Sequence, residues 1–404
     1  MPEQTSSPTS SAAKPILMLV ALWLVGWTLR VPILAAPPLA VEIGSSYGLG
    51  EAGIGALTML PVMAVALGAI PAAWIISRYS LRRVIAGGVL VMALASVARG
   101  YVPTASLLFA CSLIMGLAVS LFQTALPSAT RVWTPKHIAL GSAVYLNGMM
   151  LGEMSGAGLT LPVMMPLAGG DWSLALLLWS IPVMLIAALV AFMPIANEVE
   201  ETTQATSKPS QSAPPSTLPR WNDMHVWQYG LLLASSVVAF YVINAYCASV
   251  LTSRGEEYAL EELIFAFNAM PLLASFVLLA APNWVGLRTP LAIAAVFAVL
   301  GLVGFIFAAG WLSWASALVC GFAATIELIL LLSLPPAIAK GIAVTRLSAG
   351  MSLLGFSLAF ACTLIGGYLA DWFVWTELAL MPALVFMLAA LFMLGSKTRY
   401  PEYQ

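Results

Sequence analysis

Residues Trp27–Ile43 read WTLRVPILAAPPLAVEI. They close a run that starts at Ile16 and whose one charge before Glu42 is Arg30. About fourteen residues into such a run, at 1.5 Å per helical residue, Arg30 lies on the order of 20 Å deep in a hydrocarbon layer about 30 Å thick. A guanidinium keeps its proton there and cannot be left facing lipid. It has to point into protein or a wet cavity and meet a partner.

The whole chain supports that setting. Of its 404 residues, 61% are hydrophobic and 8% charged, and the mean hydropathy is +0.97. Soluble domains carry about 25% charged residues, so this is the composition of a polytopic helical membrane protein. A net charge of −1 gives no reason to expect a nucleic-acid partner. Cys111, Cys247, Cys320 and Cys362 sit in apolar runs without paired spacing, which speaks against a disulfide or metal framework. His137 and His225 fall in or beside loops, so a proton relay built on histidine is not expected. No cofactor or metal is expected.

Twelve apolar runs are long enough to span. Six precede the middle of the chain: Ile16–Ala36, Ala52–Ile76, Val84–Val102, Thr104–Leu126, Ile138–Met165 and Trp172–Ala196. Six follow it: Trp227–Leu251, Leu260–Ala281, Pro290–Ala309, Trp311–Pro335, Leu347–Ala370 and Trp375–Leu394. Between them NEVEETTQATSKPSQSAPPSTLPRWND, rich in Pro, Ser and Thr, has no apolar stripe and reads as a flexible linker. The expected organisation is a disordered tail (1–15), a six-helix half (16–196), a linker (197–226), a second six-helix half (227–395) and a short tail (396–404). The N-terminal tail lacks the basic start and cleavage site of a secretory signal.

Charge orients the chain. With both termini in the cytoplasm, thirteen of the sixteen Lys and Arg fall inside, Arg99 and Arg254 fall outside, and Arg30 lies within the membrane. Acids, among them Glu42, Glu51, Asp171, Glu256, Glu257, Asp371 and Glu377, collect outside. The positive-inside rule favours this topology over its inverse. The expected location is a bacterial inner membrane, multi-pass, with the lipid bilayer as a partner and a monomer as the oligomeric state.

A 6+6 chain with a long cytoplasmic middle loop resembles the major facilitator superfamily, and more closely its cyanate permease and nitroimidazole porter branch. The resemblance is carried by Leu29-Arg30-Val31-Pro32, by Gly55-Ala56-Leu57-Thr58-Met59-Leu60-Pro61, by Arg78 to Arg83, and by LFQTALPSATRVW at the exit of the fourth run. It departs in SRYSLRR, where Ser77 stands for an expected acid and Ser80 for a glycine. The resemblance implies that helices 1, 4, 7 and 10 line a central cavity, flanked by 2, 5, 8 and 11. That places Arg30 and Glu327 at the cavity, with Glu153 close by.

Arg30, Glu153 and Glu327 all fall near the midplane by rise per residue. Each alone would cost roughly 2.5–3.5 kcal/mol or more to insert, so three at one depth are expected to compensate one another. One cation against two carboxyls leaves a candidate proton carrier in Glu153 or Glu327. The bland alternative is a static Arg–Glu pair with the other acid idle. Tyr241 is the pseudo-repeat counterpart of Arg30, and Asn244 shares its face at i, i+3. Together with Gln123 and Tyr145 they could orient a substrate, or merely pack helices.

Midplane charge, two halves and a flexible middle loop fit alternating access. There is no Walker loop and no HExxH, and the Cys and His spacing fits no metal site, so neither ATP-driven transport nor an enzyme is expected. A repeated pore loop, the mark of a channel, is missing too. The expected function is a secondary carrier for a small anion held by Arg30, with a proton on a Glu. Proton-driven export of cationic drugs and transport of a zwitterion stay open as alternatives.

Overall fold

The computed structural model describes residues 10–76, 78–135, 137–193, 221–339 and 342–394, so Ser77, most of the linker and both outermost tails lie outside it. The long helices are α1 (Ser10–Thr28), α2 (Glu51–Ile76), α3 (Leu81–Tyr101), α4 (Ala105–Trp133), α5 (Ile138–Gly158), α6 (Trp172–Phe192), α7 (Met224–Arg254), α8 (Leu260–Ala280), α9 (Arg288–Phe307), α10 (Trp311–Leu332), α11 (Ile342–Phe373) and α12 (Met381–Phe392). Among the described residues, ten are long and apolar enough to cross a bilayer. The two other expected spans are α5, whose apolar character is diluted by Asn147, Glu153 and its glycines, and the shorter Thr376–Phe392. The molecule is all-α, with the fold of two six-helix halves.

The halves repeat each other's packing. α1 packs on α5 as α7 packs on α11, α2 on α4 as α8 on α10, and α3 on α6 as α9 on α12. The repeat extends to single side chains. Arg82, at the start of α3, donates to the carbonyl of Met193 after α6 at 3.0 Å, and Arg288, at the start of α9, donates to the carbonyl of Leu394 after α12 at 2.9 Å. Each arginine satisfies carbonyls left over at a helix C-terminus.

Several boundaries depart from the apolar runs. α1 starts at Ser10, within the expected tail, and α7 at Met224, capped by the Asp223 side chain. The first span does not stop at Ala36. Pro32 has no N–H to give, and α1 tightens into i→i+3 bonds, Leu29 N to Gly26 O at 3.1 Å and Arg30 N to Trp27 O at 3.5 Å. The chain then turns through Val31–Leu34 and Pro37–Leu39 and coils again over Ala40–Tyr47, ending at Gly48 with φ +64°. Glu42 is therefore on a helix, not in an outer loop. Past α5, Pro162 and Pro166 are accommodated by a wide turn over Thr160–Met164.

α1 and α5 are joined by a stripe of glycines. Gly148, Gly152 and Gly156 lie one turn apart, and a Cβ on any of them would collide with backbone, of α1 at Trp23 or Trp27 or of the turn after it at Val31. Gly26 of α1 meets the Tyr145 carbonyl in the same way. Indole N–H groups fix the register: Trp23 donates to Asn147 Oδ1 at 3.0 Å and Trp27 to Ser155 Oγ at 2.9 Å. Such close backbone approach is the membrane use of small residues.

The halves meet through α2 against α11 and α5 against α8. Where α2 begins, Asp371 of α11 accepts from the backbone N–H of Glu51 at 2.6 Å and of Ala52 at 3.0 Å. The carboxylate caps the N-terminus of a helix in the other half. Gly367 lies against the Ala52 backbone, and Tyr246 of α7 donates to the Thr363 carbonyl at 2.7 Å beside Gly55.

Two stability measurements follow from these contacts. Asp371→Ala should cost about 1 kcal/mol, as loss of a cap does, with Asp371→Asn in between. Gly152→Val should cost roughly 1–3 kcal/mol by overpacking against Trp27. Both are read as a lowered thermal midpoint of the purified protein; an unchanged midpoint in Gly152→Val would mean α1 and α5 do not touch there.

Candidate functional site

The α1–α5 register decides what Arg30 meets. Glu153 follows Gly152 on α5 and faces the break in α1. Arg30 Nε lies 3.1 Å from Glu153 Oε1, both side chains being about nine-tenths buried. The Nε–H does not line up with that oxygen as a hydrogen bond, so the attraction is chiefly between charges. Arg30 Nη1 donates to the Tyr241 hydroxyl of α7 at 3.1 Å. Nη2 has no hydrogen-bond partner among the described residues. One guanidinium thus ties the broken helix of the first half to α5 of the same half and α7 of the other.

The wall around this group is aromatic. Tyr241 packs edge-on to Phe240, with centroids 5.4 Å apart, and Phe240 stacks on Phe267 of α8 at 5.1 Å. Within the first half Trp27 and Trp179 lie 6.0 Å apart, and the Trp179 indole donates to Thr160 Oγ1 at 2.8 Å. The site can therefore present a fixed positive charge, a phenol hydroxyl and one carboxylate within apolar surroundings, an arrangement suited to orienting a small polar solute.

Glu327 does not join the pair. It is 1% exposed on α10, and its Oε1 accepts from Ser235 Oγ of α7 at 2.7 Å. No cation lies within ion-pair distance of it among the described residues. The expected compensation among three charges holds for two of them. The reason is position along and around α7: Glu327 meets that helix at Ser235, six residues from Tyr241, roughly 9 Å along its axis and about 120° around it.

The neutral candidates also separate. Asn244 is bound to protein, accepting from Asn268 Nδ2 at 2.9 Å and donating to the Phe240 carbonyl at 3.3 Å. Tyr145 is half-buried against the core and makes no side-chain hydrogen bond to a described residue. Gln123 is half-buried, with its Oε1 enclosed and unpartnered. Neither bonds to Arg30.

Three residues matter here that the sequence pattern passes over. Asn268, wholly buried, is the lone amide in the eighth apolar run. Ser235, which holds Glu327, is an ordinary serine in a helix. Arg99, placed outside by charge counting, is 1% exposed and donates from Nη2 to the Pro32 carbonyl at 2.6 Å. The signal available for Arg99 is its position inside the third apolar run, three residues before its end.

No curated protein matches the sequence. Solved structures that resemble the fold include a bacterial homolog of the human lysosomal transporter Spinster, inward-facing and unoccupied, with a TM-score of 0.72 at 15% identity, covering 95% of each chain. The nucleoside transporter NupG gives 0.73 at 13%, covering 93% of this chain and 98% of its own. A D-xylose–proton symporter gives 0.73 at 15%, covering 94% and 97%. The family description Major Facilitator Superfamily matches residues 18–350, and with the packing repeat of the two halves this places the chain in that superfamily of membrane transporters.

Proposed function

We propose that the protein is a secondary carrier that moves a small anionic solute across a bacterial inner membrane by alternating access, coupled to protons, with both termini cytoplasmic. The observation that carries this reading is the Arg30–Glu153–Tyr241 group, which bridges the two halves and leaves Nη2 of a permanent cation without a hydrogen bond among the described residues. A carboxylate or oxyanion could take two guanidinium N–H donors side by side, a geometry for which Arg is better suited than Lys. An anion that displaces Tyr241 would loosen a tie between the halves as it binds, linking occupancy to their movement.

Glu327 is assigned the proton. It can gain or lose one without breaking an ion pair, and Ser235 remains as a hydrogen-bond partner in either state. Glu153, beside Arg30, would suit the amine of a zwitterion, which makes that the second reading. The finer resemblance to cyanate and nitroimidazole porters rests on short motifs in the first half and does not identify the solute.

The experiment is counterflow and pH-driven uptake in liposomes, screening formate, acetate, benzoate, nitrate, glycine and a cationic dye. Anions should exchange, and Arg30→Lys should reduce exchange at least tenfold, the equivalent of about 1.4 kcal/mol. Glu327→Gln should keep exchange and lose proton-driven accumulation, while Glu153→Gln should alter affinity as well as coupling. Wild-type anion exchange by Arg30→Lys would end the anion reading. Exchange of glycine alone would support the zwitterion.

A further inference from the structure

Arg99 is a fully buried cation that the proposed transport mechanism does not use. It lies on α3, two residues from its end, and no carboxylate is within ion-pair distance among the described residues. Its Nε and Nη1 are buried without hydrogen-bond partners among the described residues, and Nη2 is committed to the carbonyl of Pro32. A guanidinium cannot shed its charge, so leaving it unpaired in a dry interior is costly. Capping α3 would not require such burial, since a cation at a helix end serves the dipole from the surface.

What Arg99 contacts is the turn that follows the break in α1. The Pro32 carbonyl is two residues from Arg30, and the turn is held on another side by α5, with Gly156 against the Val31 backbone and Trp27 bonded to Ser155. The proline thins the ladder at the break to the bonds that Ile33 and Leu34 N–H give the Arg30 carbonyl, at 3.1 and 2.9 Å, so external contacts share in fixing its direction. Arg30 itself has φ −118° and ψ −30°, at the junction of the two segments. Rotation there would carry its guanidinium away from Glu153 and Tyr241.

We propose that Arg99 is a positioning residue for the anion site: by holding the Pro32 carbonyl it fixes the broken turn of α1 that aims Arg30 at Tyr241 across the two halves. The significance of that aim rests on Arg30 being the anion ligand, but the positional effect itself does not.

The test reads Arg30 directly. Full-length protein in lipid nanodiscs is treated with phenylglyoxal, an arginine reagent, and modification is followed at each arginine by peptide mass spectrometry. Arg99→Met, similar in length and uncharged, should speed labelling of Arg30 several-fold. Arg254, held by Glu377 and by carbonyls of the second half, should keep its rate. Arg99→Lys, which retains charge and a donor, should restore much of the wild-type rate. Should Arg99→Met fail to fold, Arg99→Gln is read on the same scale. An unchanged Arg30 rate in folded protein overturns the proposal, as does equal acceleration at Arg254, which would signal general loosening. Wild-type transport by Arg30→Lys would instead sink the anion reading while leaving the labelling result intact, so the two can fail separately.

Discussion

A charge that cannot be discharged has to be answered by its surroundings, and Arg30 imposes that constraint on the first half of the molecule. In water its attraction to a carboxylate at about 4 Å would be near 1 kcal/mol; behind protein walls it is several times larger, and so is the cost of lacking it. The pair with Glu153 is therefore sensitive to small displacements. The glycine stripe of α5, the indole bonds of Trp23 and Trp27, and the grip of Arg99 on Pro32 all act on the segment that carries Arg30. They bring two backbones close enough for a guanidinium on a broken helix to meet an acid on an intact one.

The second half lacks this charge pair although it repeats the packing. Tyr241 takes the place of the arginine, and α7 is unbroken over Met224–Arg254. The contrast has a backbone cause: α7 contains no proline, whereas the α1 segment has Pro32, Pro37 and Pro38. A continuous, deeply buried α7 gives the broken α1 a firm surface to lean on, and the Arg30–Tyr241 bond lies across it. At the separate contact of α2 with α11, Asp371 caps α2 from α11. The halves are thus joined by polar groups at two levels, and polar contacts can exchange partners more readily than interdigitated apolar side chains.

Depth was legible in the sequence because rise per residue is nearly constant. Arg30, Glu153, Tyr241 and Glu327 could all be placed well inside their helices, and the Arg30–Tyr241 correspondence between halves follows from counting. Azimuth was not legible to the same degree. Whether Glu153 or Glu327 answers Arg30 depends on how α5 and α10 rotate against their neighbours, which glycine packing and the Pro32 break determine over long sequence distances. Arg99 shows a related limit. A residue near a helix end is read as solvated, yet the bent continuation of α1 covers that end and buries it. Asn268 has no charge to draw notice, and its importance to Asn244 arises only once α7 and α8 are side by side.

Under the proposed reading, the separation of Glu327 from Arg30 is an advantage for coupling. Ser235 and Tyr241 are six residues apart on α7, roughly 9 Å along its axis. An anion at Arg30 and a negative charge at Glu327 would repel across a gap of that order by about 2 kcal/mol at an effective dielectric of 20. That is more than a tenfold bias against holding both negative charges together. If Glu327 were paired directly with Arg30, the anion would compete with it for one cation, and release of the acid would be part of binding. Held apart on Ser235, the acid can sense the solute through the field alone, while Glu153 remains to occupy Arg30 when the solute has left.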